Sequence, residues 1–515
     1  MPGTSNSKAL ARSRTVAVIG SGAMGAGIAQ VAAAAGYAVQ LFDTRPEAVA
    51  KAIVDIGEMF GKLAGKGRMT ADEASAATGR LRAAAVLSDL AEAGLVVEAI
   101  VENLDVKRKL FAELEAVVAD DCIFASNTSS ISITSIGAAL RLPQRLVGMH
   151  FFNPVPLMAL VEIISGLASD AAVAACVYDT ALAWGKNPVH TKSTPGFIVN
   201  RVARPYYAEA LRVLNEQAGE PATIDAIMRE AGGFRMGPFE LMDLIGHDVN
   251  FAVTQSVFQA YFTDPRFTPS LIQQELVNAG FLGRKSGRGF YRYGENAAAP
   301  APMTEAAMPL PMHPVQVFGA SPLAEALAAR LTNVSVERSD ALFGADNLVL
   351  RCGSAKAYLT DGRSATQRAA DNRHADTVLI DLALDFNNAG RIAVTRADQC
   401  GDTAYSDIVA LLQAAGFAVS RLDDVPGMVV MRTVAMLANE AADTVNQGVC
   451  SIADADMAMK KGVNYPRGPL AWADAIGLDT IADVLLHLAT AYGEDRYRVS
   501  PLITRKTSSG GRFHV

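Results

Sequence analysis

Uninterrupted β-branched and apolar residues at 15–19 (TVAVI) predict a strand buried on both faces. The turn Gly20-Ser21-Gly22-Ala23-Met24-Gly25 follows, then an alanine-rich helical stretch to about Ala35 that Gly36 stops. Residues 38–43 predict a second strand. Helical periodicity fills 46–64 and 70–83, a strand is expected at 95–100 and a helix at 103–119. Further strands are expected at 122–125, 146–149 and 160–164. Alternation of this kind predicts an α/β fold: a Rossmann-type, doubly wound, mostly parallel sheet with helices on both faces.

From Pro195-Gly196 the periodicity becomes helical and stays so to residue 293, which predicts an all-helical domain. A proline-rich stretch, AAAPAPMTEAAMPLPMHP, then reads as an extended linker. Beyond it the chain repeats itself. Pro195-Gly196-Phe197-Ile198-Val199-Asn200-Arg201 returns 231 residues later as Pro426-Gly427-Met428-Val429-Val430-Met431-Arg432. The same offset aligns Glu209 with Glu440, Asp225 with Asp456, Asp243 with Asp474 and Asp264 with Asp495. A shift held over about 70 residues marks a duplicated supersecondary unit. The intervening 315–425 segment resembles a shortened first domain, but Ser321 and Ala324 stand where Gly22 and Gly25 would fall. The expected organisation is therefore 13–194 (nucleotide-binding), 195–293 (helical), 294–314 (linker), 315–425 (reduced Rossmann-like remnant) and 426–515 (second helical domain).

Composition narrows the class. Of 515 residues, 50% are hydrophobic and 19% charged, so the chain is neither disordered nor a coiled coil. Lys+Arg number 46 against 53 Asp+Glu, which leaves no basic excess to neutralise a phosphate backbone and argues against nucleic-acid binding. Cys122, Cys176, Cys352, Cys400 and Cys450 are too widely spaced for a redox or metal motif, so no metal is expected and reduced thiols point to the cytoplasm. The N-terminal stretch lacks a signal peptide's apolar core. The most apolar stretch, 26–42, is broken by Gln30, Gly36 and Gln40, so no membrane span is expected.

The glycine turn carries the first chemistry. In a strand–turn–helix setting Gly20 permits the tight turn, Gly22 lets the backbone approach a pyrophosphate, and Gly25 lets helix and strand pack closely. The amides at Ala23 and Met24 open the helix that would face the phosphates. Asp43 ends the second strand, where a carboxylate holds both ribose hydroxyls of NAD and repels a 2′-phosphate. Arg45 beside it could accept NADP, but before Pro46 it reads as a solvated residue at a helix start. NAD is the expected cofactor. Two further segments lie where open sheets bind ligands: Ser126-Asn127-Thr128-Ser129-Ser130 after one strand, and His150-Phe151-Phe152-Asn153-Pro154 after the next. Glu162 sits in the strand that follows. A neutral imidazole backed by a carboxylate is a general base near neutral pH.

Together GSGAMGAGIA, VVEAIVENLDVKRKLF, SNTSS, HFFNPVPLMALVEII, PGFIVNR and GRKSGRGFY resemble the NAD-dependent 3-hydroxyacyl-CoA dehydrogenases. The match is to a long subgroup with a duplicated helical domain, similar to 3-hydroxyadipyl-CoA and 3-hydroxybutyryl-CoA dehydrogenases of aromatic (phenylacetate-type) and fatty-acid catabolism. The resemblance implies oxidation of a (3S)-3-hydroxyacyl-CoA to the 3-oxoacyl-CoA. It implies that His150 is the base, Glu162 its orienting carboxylate, Ser129 and Asn200 hydrogen-bond partners of the substrate, and Asn153 a support. It places Glu102 and Lys107 near the cofactor, although a surface pair at a helix start is the plainer account. Lys62, Lys66 and Arg68 are candidate CoA contacts that read equally as a solvated face.

Arg204, one helical turn beyond Asn200, is the expected specificity residue for a terminal carboxylate; an ion pair with Glu209 or Glu240 is the structural alternative. The second helical domain is expected to serve as an intramolecular partner for the first, with homo-oligomerisation left open. Two other functions remain: a dehydrogenase of a small non-CoA hydroxy acid or sugar, and a non-catalytic, crystallin-like binding protein.

Overall fold

The computed structural model describes residues 8–295, 297–339 and 347–514. The expected linker and remnant each contain some residues outside these ranges. Two compact units result: Met1–Arg201 with Gln447–Val463, and Val202–Asn446 with Asn464–Val515.

The first unit is built on strands β1 (Thr15–Ile19), β2 (Val39–Phe42), β3 (Leu81–Ala83), β4 (Ala93–Glu98), β5 (Ile123–Ser126), β6 (Leu146–Phe151), β7 (Leu160–Ser165) and β8 (Asn187–Lys192). Their order, β3-β2-β1-β4-β5-β6-β7-β8, begins as the doubly wound dinucleotide order and appends two strands. All neighbours are parallel except β6 and β7, which run antiparallel and pair His150 with Glu162. Alternate residues of β1 serve opposite cores: Val16 and Val18 pack on one face, Ala17 and Ile19 on the other.

Three expectations change here. Residues 70–83 divide into a capped helix, Ala71–Gly79, and the strand β3, which at three residues is too short to show a periodicity. His150 lies inside β6 rather than after it. The first unit also takes in 447–463, from the expected second helical domain. Its helix Ile452–Gly462 lays Gly462 against Leu160 and Val199, where a Cβ would fall 2.5 Å from Leu160 Cδ2.

The second unit holds a second sheet: β9 (Val315–Phe318), β10 (Val336–Ser339), β11 (Leu348–Cys352), β12 (Ala355–Leu359), β13 (Thr377–Ile380), β14 (Arg391–Arg396) and β15 (Ala418–Arg421). The order is β10-β9-β11-β12-β13-β14-β15 among the described residues. β12 to β15 reproduce the parallel, antiparallel, parallel sequence of β5 to β8. Where the first sheet crosses over from β4 to β5 through a helix, the second makes the antiparallel hairpin β11–β12. Much of the lost length is that crossover and the helical pair 46–79.

The remaining helices of both helical copies complete this unit. Glu209 of the first copy accepts from Arg432 Nε at 2.7 Å and from Tyr497 Oη at 3.0 Å in the second. Arg266 of the first pairs in turn with Glu440 of the second at 3.3 Å and with Asp443. Among the described residues no single helix is long and apolar enough to cross a membrane.

Candidate active site

Backbone geometry fixes the glycine turn. Gly20 has φ +100°, and a Cβ there would meet Ala99 O at 2.5 Å; a Cβ on Gly25 would lie 1.8 Å from Gly20 O. Around Gly22 an added Cβ meets nothing within 4 Å, so this residue leaves room for a ligand. No side chain caps the helix Ala23–Ala34, whose first turn starts with Ala23 and Met24, so these amides are available to phosphate oxygens. Asp43 is drawn to the same turn: Oδ2 accepts from the Ser21 amide and hydroxyl, each at 2.8 Å, and Oδ1 from the Arg45 amide at 3.1 Å. Burial would raise its pKa, but the Ser21 and Arg45 contacts outweigh that and hold it below the usual carboxylate range. Arg45 is solvated and stands 3.6 Å from Asp43. These residues fit a dinucleotide with free ribose hydroxyls.

His150 and Glu162 face each other across β6 and β7, with Nδ1 2.7 Å from Oε2. Glu162 is fully buried, and its Oε1 accepts from the amides of Ile198 at 2.9 Å and Val199 at 3.0 Å. One carboxylate therefore fixes both the imidazole and the turn from which Asn200 projects. Phe152 and Phe197 flank the ring, 4.6 and 5.9 Å away between centroids. With Nδ1–H given to Glu162, the tautomer this bond favours leaves the Nε2 lone pair free to accept a proton. Asn200 is half-buried, and its amide takes no partner among the described residues.

The serine-rich loop is tied down by Glu102. Its Oε1 accepts from Thr128 Oγ1 at 2.6 Å, the Ser129 and Ser130 amides at 3.0 Å and Ser130 Oγ at 2.9 Å. Burial opposes its ionisation, but the Thr128 bond, Lys107 and the loop serines win and lower its pKa. Lys107 is not the surface residue of the plainer account. It is 1% exposed, 2.5 Å from Glu98 Oε1 and 3.4 Å from Glu102 Oε2. Ser129 lies on the loop, half-buried and bonded to Glu102. Asn153 is exposed and bonds to neither His150 nor Glu162. Lys62 is solvated and pairs with Glu58 at 3.7 Å.

Two residues with structural claims went unread in the sequence. Glu98 anchors Lys107 and accepts from Ser126 Oγ at 2.6 Å; a lone acid in the apolar run LVVEAI was the available signal, since buried charges need partners. Asn127 Oδ1 accepts from the Phe151 amide at 2.8 Å and so fixes the strand next to His150.

Comparison with known proteins matches "3-hydroxyacyl-CoA dehydrogenase, NAD binding domain" to residues 15–194. The corresponding C-terminal domain matches twice, at 196–293 and 427–512. A 3-hydroxybutyryl-CoA dehydrogenase reduced Rossmann-fold domain matches 357–426. The 3-hydroxyadipyl-CoA dehydrogenase of Escherichia coli is 44% identical over 96% of this chain and 97% of its own. A 3-hydroxybutyryl-CoA dehydrogenase of Bradyrhizobium diazoefficiens is 41% identical over 56% of this chain and 98% of its own. The crystal structure of an Escherichia coli 3-hydroxybutyryl-CoA dehydrogenase superposes with a TM-score of 0.88 at 42% identity, covering 96% of this chain and 99% of that one. With both halves of its length matched in order, the chain belongs to the 3-hydroxyacyl-CoA dehydrogenase family.

Proposed function

We propose that this enzyme oxidises 3-hydroxyadipyl-CoA to 3-oxoadipyl-CoA, within the NAD-dependent 3-hydroxyacyl-CoA chemistry of its family. The observation that carries the acyl group is the relative named for that substrate, which is similar over nearly the whole chain. His150 Nε2 takes the proton of the 3-hydroxyl as the C3–H bond breaks. NAD, when bound, supplies the hydride acceptor. The imidazolium that forms is held by Glu162, whose second oxygen stays on the Ile198 and Val199 amides and so cannot drift from the ring. A general base of this kind contributes roughly 10²–10⁴-fold in rate. The unpartnered Asn200 amide and the Ser129 hydroxyl hold substrate oxygens, and Gly20, Gly22, Ala23, Met24, Gly25 and Asp43 hold NAD, with Glu102 and Lys107 setting the loop beside it.

The second helical copy acts as a built-in partner. Glu209 with Tyr497 and Glu440 with Arg266 are one contact with the copies exchanged, because each pair of equivalents is 231 residues apart. Such reciprocity is the mark of a two-fold, isologous interface. Five unpaired cysteines support a reducing, cytoplasmic setting.

The test is initial rates with NAD on 3-hydroxyadipyl-CoA, 3-hydroxybutyryl-CoA, 3-hydroxyhexanoyl-CoA and free 3-hydroxybutyrate. The adipyl thioester should have the highest kcat/KM and the free acid should be inert. A preference for 3-hydroxybutyryl-CoA would replace the adipyl assignment, and turnover of the free acid would remove the CoA requirement.

A further inference from the structure

A cavity of about 530 Å³ opens within the second unit, lined in part by Arg204, Tyr207, Thr254, Arg266 and Arg496. Its size suits a small organic ligand. Three of these residues are buried arginines, and two have acidic counterparts. Arg266 pairs with Glu440 and Asp443, and Arg496 lies 3.5 Å from Glu209. Arg204 differs. It is 5% exposed, donates from Nη1 to Thr254 Oγ1 at 3.1 Å and lies over the Tyr207 ring at 4.9 Å. It has no acidic partner among the described residues.

The two acids expected as alternatives are committed elsewhere: Glu209 to Arg432 at 2.7 Å, and Glu240 to Arg229. The acids that share the cavity wall are committed too, Glu494 to Arg212 and Asp495 to Arg498. Burial without a counter-charge pushes the Arg204 guanidinium below its usual range. An uncompensated buried cation costs several kcal/mol (order of magnitude). Folds retain such a cost chiefly at functional sites. The Thr254 bond and the Tyr207 ring fix the plane of the fork, and its Nε remains without a partner. Nε and Nη2 of Arg266, on the same wall, have no hydrogen-bond partner either. A preoriented guanidinium edge with auxiliary N–H groups matches a carboxylate, which it binds by two parallel charge-assisted bonds.

We propose that this cavity is a carboxylate receptor in which Arg204 binds the anion. Its ligand is a free dicarboxylate of about the length of adipate.

The full chain, wild type, Arg204→Met and Arg204→Lys, is titrated calorimetrically with adipate and with uncharged adipamide. Adipate should bind the wild type and weaken about thirtyfold or more in Arg204→Met, with Arg204→Lys between the two because it keeps the charge and loses the fork, and adipamide should not bind. Turnover of 3-hydroxyhexanoyl-CoA reports that each variant is folded. Adipate binding that is absent, insensitive to Arg204 or matched by adipamide overturns the receptor.

Discussion

Two carboxylates in this chain grip the same kind of turn, and only one of them has a histidine. In the first unit Glu162 spends Oε1 on the Ile198 and Val199 amides and keeps Oε2 for His150. In the second unit Asp381 spends both oxygens on backbone: Oδ2 accepts from Val429 and Val430, and Oδ1 from Met431 and Leu382, all between 2.8 and 3.0 Å. Both turns carry a non-glycine residue at positive φ, Phe197 at 49° and Met428 at 55°, after a glycine at 74° and 72°. A left-handed residue of this kind costs about 1–2 kcal/mol, which the amide–carboxylate bonds offset.

Asp381 is not the equivalent of Glu162. It occupies the position 231 residues beyond His150, while Ala393 stands for Glu162. The second copy thus has no histidine at this place and keeps a carboxylate anchor, moved one strand over. In both copies a carboxylate holds the entry to the helical domain; in the first, one of its oxygens is left for a histidine.

The division is sharpest if each copy is disabled in turn. His150→Gln should lower kcat by about 10³-fold, within the range of a lost general base, and leave the melting temperature nearly unchanged. A loss below tenfold would mean that proton transfer is shared with another group. Asp381→Ala should do the reverse. Stranding four backbone N–H groups should cost about 3 kcal/mol in urea unfolding, while kcat of the folded fraction stays at the wild-type value. A drop in kcat there would break the distinction between the copies.

The cofactor turn gives the smallest and most discriminating effect. Gly22→Ala should weaken NADH binding about tenfold with no change in stability, because its Cβ meets nothing in the protein yet enters the space a pyrophosphate needs. Gly25→Ala, which drives a Cβ into Gly20 O, should lose stability and binding together. Wild-type NADH titration should saturate at one site per chain, since Ser321 and Ala324 replace the glycines in the second copy.

Much of this was legible in the sequence because it is written locally. The glycine turn, Asp43 at a strand end and the repeated PG motif each announce their geometry within a few residues. The 231-residue offset reaches further than the helical domains: the helix Ala171–Ala183 recurs as Asp402–Ala414, and β7 as β14, residue for residue. What escaped depends on pairing across the chain. β3 has three residues, and β8 carries Pro188 with only a weak apolar alternation. Reading His150 as following its strand missed that its partner lies directly opposite in an antiparallel neighbour. The FH near the C-terminus went unmatched to the FY of the first copy. Asp474 nonetheless accepts from the Phe513 and His514 amides as Asp243 does from Phe290 and Tyr291, because spacing between anchor and loop drifts while the bond itself is kept.

The reciprocal contacts between the helical copies carry a genetic consequence. In a two-fold homodimer every substitution appears on both sides of the axis at once, so a change useful to one side must be tolerated by the other. Here each side has its own codons. Arg266 and Tyr497 occupy equivalent positions and meet equivalent glutamates, yet one presents a guanidinium and the other a phenol. Tethering the two sides in one gene uncouples their inheritance, and the second sheet, which lacks the glycines and the helical crossover of the first, shows how far one side can change alone.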